Sequence, residues 1–66
     1  MFNKTALRQI RKERGISRRE LAAELGRHPS TVIRWEQGIR VPNSHSVIVL
    51  AHVLGCSTNE LEDTTA

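Results

Sequence analysis

The sequence predicts an all-α protein, a compact bundle of four to five short helices in a single domain. Three observations carry that expectation. Apolar residues recur at spacings of three and four, and no alternating run of strand type occurs before residue 47. Four glycines (Gly15, Gly26, Gly38 and Gly55), with Pro42, divide the 66 residues into short pieces of similar size. A helix-start signal precedes each piece. The composition, 38% hydrophobic and 26% charged, is that of a folded chain rather than a disordered one. A chain this short buries only roughly 60% of its unfolded surface, so local signals weigh heavily in what it becomes.

The first helix is expected over about 4–14, with Asn3 as its cap and Phe2 and Leu7 as a hydrophobic staple. The second, about 18–25, starts from a capping box, Ser17-x-x-Glu20, with Ile16 and Leu21 as its staple. The third, about 29–36, follows His28 with Pro29 at its first position, where a missing N–H costs nothing. The fourth, about 44–54, follows a candidate cap at Asn43. Its run Val47-Ile48-Val49-Leu50 is β-prone, so a strand competes there, but Ala51 and Leu54 extend the segment to helical length. A fifth, about 58–62, follows a second capping box, Ser57-x-x-Glu60. The expected core is Leu7, Ile10, Leu21, Ala22, Leu25, Val32, Trp35, Val47, Leu50, Ala51, Leu54 and Leu61. Residues 1–63 form the expected domain and 64–66 a C-terminal tail, with the last residues from Asp63 expected to fray.

Composition excludes several classes. One cysteine, Cys56, rules out an internal disulfide. No apolar run approaches the roughly 20 residues that span a bilayer, and no secretory signal is evident, so the expected compartment is the cytoplasm. His45, His52 and Cys56 lie near one helical face, but Gly55 breaks that face before Cys56 and no fourth ligand is evident. No metal or other cofactor is therefore expected. No catalytic triad, paired carboxylate or phosphate-cradling glycine loop occurs, so no enzyme is expected.

The charge is asymmetric. All ten basic residues lie at or before Arg40, where four acids accompany them, so residues 1–40 carry a net +6 and residues 41–66 carry −3. Such a distribution suggests a polyanionic partner. Residues 18–36 then fit a helix-turn-helix: Leu21, Ala22 and Leu25 form one apolar face, Gly26 permits the turn, and Val32 and Trp35 form the next face. Removing the core positions of helix 29–36 leaves Ser30, Ile33, Arg34 and Gln37 on the outer side. A guanidinium there can bond guanine O6 and N7, and an isoleucine exposed beside it can pack on a thymine methyl. A helix of about 10–12 Å diameter fits the major groove of double-stranded DNA.

The sequence resembles the phage repressor/Cro type of helix-turn-helix domain, the lambda repressor-like fold, over roughly residues 5–62. The likeness lies in Leu7-Arg8-Gln9-Ile10-Arg11, Gly15-Ile16-Ser17, Glu20-Leu21-Ala22, Leu25-Gly26, Ser30-Thr31-Val32, Trp35-Glu36-Gln37-Gly38, Pro42, Leu50-Ala51, Leu54-Gly55-Cys56-Ser57 and Glu60-Leu61. It implies a sequence-specific transcription regulator, of repressor type, that binds an operator as a dimer without metal or cofactor. It puts Pro29, Ser30, Ile33 and Arg34 at base-reading positions. It puts Arg18, Gln37 and Arg40 at phosphate-binding ones; Thr31 and Arg27 are taken with the phosphate contacts. Arg27 stands where the family commonly has a small apolar residue, so its stem must pack while its head reaches solvent or phosphate. Arg11 and Glu36 match a structural ion pair. Val49, Val53 and Leu61 are the apolar candidates for a weak homodimer contact strengthened on DNA. A protein-interaction module on the same scaffold, such as an antitoxin, is the alternative, although docking alone does not require so basic an N-terminal part.

Overall fold

The computed structural model describes residues 1–63. Helix α1 runs Lys4–Glu13, α2 Arg18–Leu25, α3 Pro29–Gln37 and α4 Ser44–Leu54, and a 3-10 turn follows at Thr58–Leu61. The β-prone run of residues 47–50 is helical. Val47, Leu50, Ala51 and Leu54 fall on one face of α4 and are buried together, a burial that a strand of the same residues would split between two sides. The last element is a single tight turn rather than an α-helix, because the chain is drawn back to its own beginning. Phe2 and Glu62 form an antiparallel bridge, Asn3 N–H donates to Leu61 C=O (2.8 Å) and Asp63 N–H donates to Met1 C=O (2.6 Å). Asp63 is therefore tied to the domain rather than frayed; Thr64, Thr65 and Ala66 lie outside the described residues.

Each helix begins on a side-chain cap that satisfies otherwise orphaned amides. Asn3 accepts from Ala6 N–H (3.0 Å), Ser17 from Glu20 N–H (3.0 Å) and Asn43 from Ser46 N–H (2.8 Å). Glu20 in turn accepts Ser17 N–H at 3.1 Å, which completes the capping box. Its carboxyl is held below the usual carboxylate range, first by that backbone hydrogen bond and then by the Ser17 hydroxyl. At Ser57 the Glu60 carboxylate takes the backbone N–H (2.8 Å), whereas Glu60 N–H goes to Ser57 C=O (3.1 Å), the shorter loop that 3-10 geometry closes.

α2 packs on α3 and α4, α1 packs on α3, and the 3-10 turn lies against α1 and α4. The buried core is Leu7, Leu21, Ala22, Val32, Trp35, Val47, Leu50, Ala51, Leu54 and Leu61. Ile10 and Leu25, expected inside, are half-buried on its edge. Leu25 is the last residue of α2, beside the turn at Gly26, and borders a surface hollow shared with Trp35, His45 and Val49. Near Ile10, Arg11 occupies the buried side of α1 and is only 6% exposed. Leu61, a candidate for a dimer contact, is fully enclosed in this core, and Val49 and Val53 are half-buried. The exposed large apolar side chains are instead Ile39, Val41 and Ile48, with Met1.

Candidate nucleic-acid interface

The outer face of α3 is set by what its inner face must bury. Val32 and Trp35 lie in the core, so residues half a turn away face outward. Arg34 and Gln37 are exposed there, and Pro29, Ser30, Thr31 and Ile33 are half-buried. Ile33 is thus less exposed than the sequence suggests. It lies on the flank of α3 rather than at the centre of its outer side, with its neighbour Val32 wholly enclosed. The helix begins at His28, whose ring nitrogen Nδ1 accepts Ser30 N–H at 3.1 Å. It ends at Gly38, whose φ of +80° closes the helix in the left-handed region. A Cβ at Gly38 would come within 3.0 Å of Lys4 Nζ, so the start of α1 lies over the end of α3. The lysine charge there suits the negative end of the helix dipole.

Beside α3 runs a groove lined by Arg27, Thr31, Arg34, Trp35 and Arg40, together with Val41, Pro42, Asn43 and Ser46. Among the described residues, three guanidiniums line it and no carboxylate does. Arg27 comes from the α2–α3 turn and lies over the Trp35 ring, 5.8 Å from its centre, so its position is packed as well as charged. Arg40 comes from the loop after Gly38. Arg27, Thr31, Arg34 and Arg40 are thereby gathered, although they are spread over fourteen positions of chain.

Arg18 stands apart from that groove, at the start of α2. Its Nε is 3.8 Å from Glu36 Oε1, and its side chain is 44% exposed. Glu36 itself is enclosed. Arg11 Nε donates to Glu36 Oε2 at 2.6 Å, Arg11 Nη2 to Oε1 at 3.2 Å, and Arg11 Nη1 to Ile16 C=O at 2.9 Å. The fork of the guanidinium matches both carboxylate oxygens and clamps α1 to α3.

Not all of the basic N-terminal part is available to a partner. Arg14, for which the sequence carries no local signal, donates to Leu54 C=O (2.9 Å) and Gly55 C=O (3.4 Å) at the end of α4. Its partners lie 40 and 41 residues away, beyond the reach of any pattern read along the chain. Cys56, nearby and half-buried, has its thiol pushed up by burial first and by Glu60, against Arg14. Among the described residues, no group of three or more His, Cys, Asp or Glu side chains is arranged to hold a metal.

A family model for the helix-turn-helix matches residues 7–61. The chain belongs to the helix-turn-helix family, of the repressor/Cro type. Comparison with curated protein sequences finds no match. Among solved structures, the helix-turn-helix chain is similar to the hydroxypropylphosphonic acid epoxidase from S. wedmorenis, with a TM-score of 0.88 at 30% identity, covering 96% of this chain and 34% of that one. It is similar at the same TM-score and identity to the iron(II) form of that enzyme, named HppE, in complex with substrate, covering 37% of that chain. A structure of the epoxidase in complex with fosfomycin gives a TM-score of 0.84 at 29% identity. The chain spans about a third of the length of these structures. No helix of the described residues is long and apolar enough to cross a membrane.

Proposed function

We propose that the chain is a sequence-specific transcription regulator of repressor type that binds double-stranded DNA with α3 in the major groove. One observation carries this reading: the outer face of α3 adjoins a groove that holds Arg27, Arg34 and Arg40 and, among the described residues, no acid. A polyanion with a regular groove matches both parts of that surface. Pro29, Ser30, Ile33 and Arg34 then meet base edges, Arg34 as the bidentate donor to guanine and Ile33 against a thymine methyl. Arg18, Arg27, Thr31, Gln37 and Arg40 meet phosphates. The Arg11–Glu36 clamp holds α3 at a fixed angle and touches no base.

Two copies bind an inverted repeat whose half-sites are centred about 10–10.5 bp, or one helical turn, apart. Self-association is weak in solution and strengthened on DNA, and the protein acts in the cytoplasm. The reading gives no residue a catalytic role. The epoxidase likeness covers about a third of that enzyme, and one fold serves many functions.

Selection of bound sequences from a random duplex pool tests the reading. The expected result is a pseudo-palindromic operator, bound with a log–log salt slope of magnitude about 5–9 for a dimer. If every duplex binds alike, or none binds, the chain is not a sequence reader. Retention of a specific protein partner in place of DNA would favour the docking-module alternative.

A further inference from the structure

The ring of His28 does more than cap α3. Its Nδ1 is 3.1 Å from Ser30 N and 2.9 Å from Ser30 Oγ. Pro29 lies between them in sequence and has no N–H, so the first amide able to reach the ring is that of Ser30. A backbone N–H only donates. Nδ1 is therefore the unprotonated ring nitrogen, and the proton sits on Nε2. With Nδ1 an acceptor, the 2.9 Å contact is a hydrogen bond donated by the Ser30 hydroxyl, which shares the nitrogen's single in-plane lone pair with the Ser30 N–H. That hydroxyl has one proton, and it is committed to the ring.

A free serine on a recognition helix reads either kind of partner, because its hydroxyl rotates to donate or accept. Ser30 lacks that freedom and turns only lone pairs outward. We infer that His28 holds Ser30 as an acceptor, which makes Ser30 a determinant of specificity for a base presenting an exocyclic amine: adenine N6 or cytosine N4. In the major groove only those two bases carry a donor. Guanine presents N7 and O6, and thymine presents O4 and a methyl group, which give the lone pairs of Ser30 nothing to bond. His28 is the positioning residue and Ser30 the reader. The inference rests on the DNA-binding reading proposed above.

The test uses the full chain and an operator selected from random duplexes. Comparing selections by wild type and Ser30→Ala identifies the base pair that depends on Ser30. At that pair, 2′-deoxy nucleotides of purine or 2-pyrimidinone replace adenine or cytosine, deleting the amine alone. Deleting the amine is expected to weaken wild-type binding about two- to tenfold, the factor of one neutral hydrogen bond, and to leave Ser30→Ala unaffected. His28→Asn, which offers an acceptor oxygen at the same cap, should keep the discrimination against guanine and thymine at that position, and His28→Ala, which frees the hydroxyl to donate as well as accept, should lose it. Because Ser30→Ala removes only a hydroxyl and keeps the cap amide, the result survives even if His28→Ala folds poorly.

Several results would overturn the inference while leaving DNA binding intact. These are a Ser30-dependent loss on deleting guanine O6, guanine N7 or thymine O4 instead; no base pair sensitive to Ser30→Ala; and a His28→Ala protein that still rejects guanine and thymine at that position as wild type does. Failure of wild type to select any operator would instead remove the DNA-binding reading, and the inference with it.

Discussion

Arg11 and Glu36 stand 25 residues apart in sequence and meet in a two-pronged ion pair of 2.6 and 3.2 Å, enclosed between α1 and α3. Both side chains are more than nine-tenths buried, at 7% and 5% exposure, so neither charge can be satisfied by water if the other is removed. Arg18 approaches the same carboxylate from α2. Three elements are thus referred to one acidic side chain, and the angle at which α3 leaves the body of the protein depends on it.

Glu36→Ala is expected to destabilise the domain by about 3–5 kcal/mol, because it strands the buried Arg11 guanidinium. That is comparable with the whole stability expected of a chain this size, at roughly 0.05–0.15 kcal/mol per residue. Urea denaturation followed by circular dichroism should find the variant largely unfolded at 25 °C. Replacing both residues by leucine should be markedly less damaging than the single change. A Glu36→Ala protein as stable as wild type would show that the clamp is ornamental.

The Ser17–Glu20 capping box gives α2 a stability that depends on pH. Hydrogen bonds from Ser17 hold the Glu20 carboxyl below its ordinary value, about 4.3 in a free chain. The folded state therefore releases this proton more readily than the unfolded one. The contribution is fully present above the unfolded pKa and is lost as pH falls through the lowered folded pKa. Thermal melts of wild type and Glu20→Gln should lie furthest apart near neutrality and converge in acid. A constant separation between pH 7 and pH 2 would contradict the assignment.

Gly38→Ala is expected to cost about 1–2 kcal/mol, most of it from forcing an alanine to φ +80°. A smaller part comes from crowding Lys4, whose Nζ would lie 3.0 Å from the new Cβ. Since a lysine tip moves easily and a backbone does not, adding Lys4→Ala should recover only a minor share. Full recovery in the double variant would make side-chain crowding the cause.

The arginines of the groove should separate by role. Arg34→Ala is expected to cost about 1–3 kcal/mol per half-site and to relax specificity, while Arg40→Ala weakens all sequences alike and reduces the magnitude of the salt slope by about 1 for each phosphate left unneutralised. Arg27→Leu removes the charge but leaves a stem to pack on Trp35, so DNA affinity should fall while stability drops by at most about 1 kcal/mol. Anisotropy titrations over a range of salt, alongside thermal melts, read all three. If operator preference survives Arg34→Ala intact, that residue does not read a base.

Much of this protein is written locally. The caps at Asn3, Ser17 and Asn43 and the left-handed turns at Gly26 and Gly38 lie within three or four residues of the helices they bound, and hydrophobic spacing marks which side of each helix is inside. Those interactions close within one turn, so reading along the chain finds them, and the bundle and the outer face of α3 follow. Other features required the folded chain. Arg14 and Arg34 are both arginines in a basic stretch, yet one binds carbonyls at the end of α4 and the other lines the groove. Charge in a sequence has no direction until packing supplies one. Leu61 and Ile48 are likewise both aliphatic, but the 3-10 turn buries the first against α1 and α4 while the outer face of α4 exposes the second. The pairing of His28 with Ser30 is local in sequence but depends on a ring orientation that no spacing rule encodes. Interactions within a turn are dictated by neighbouring residue types, whereas those across tens of residues exist only once the core has brought distant segments together.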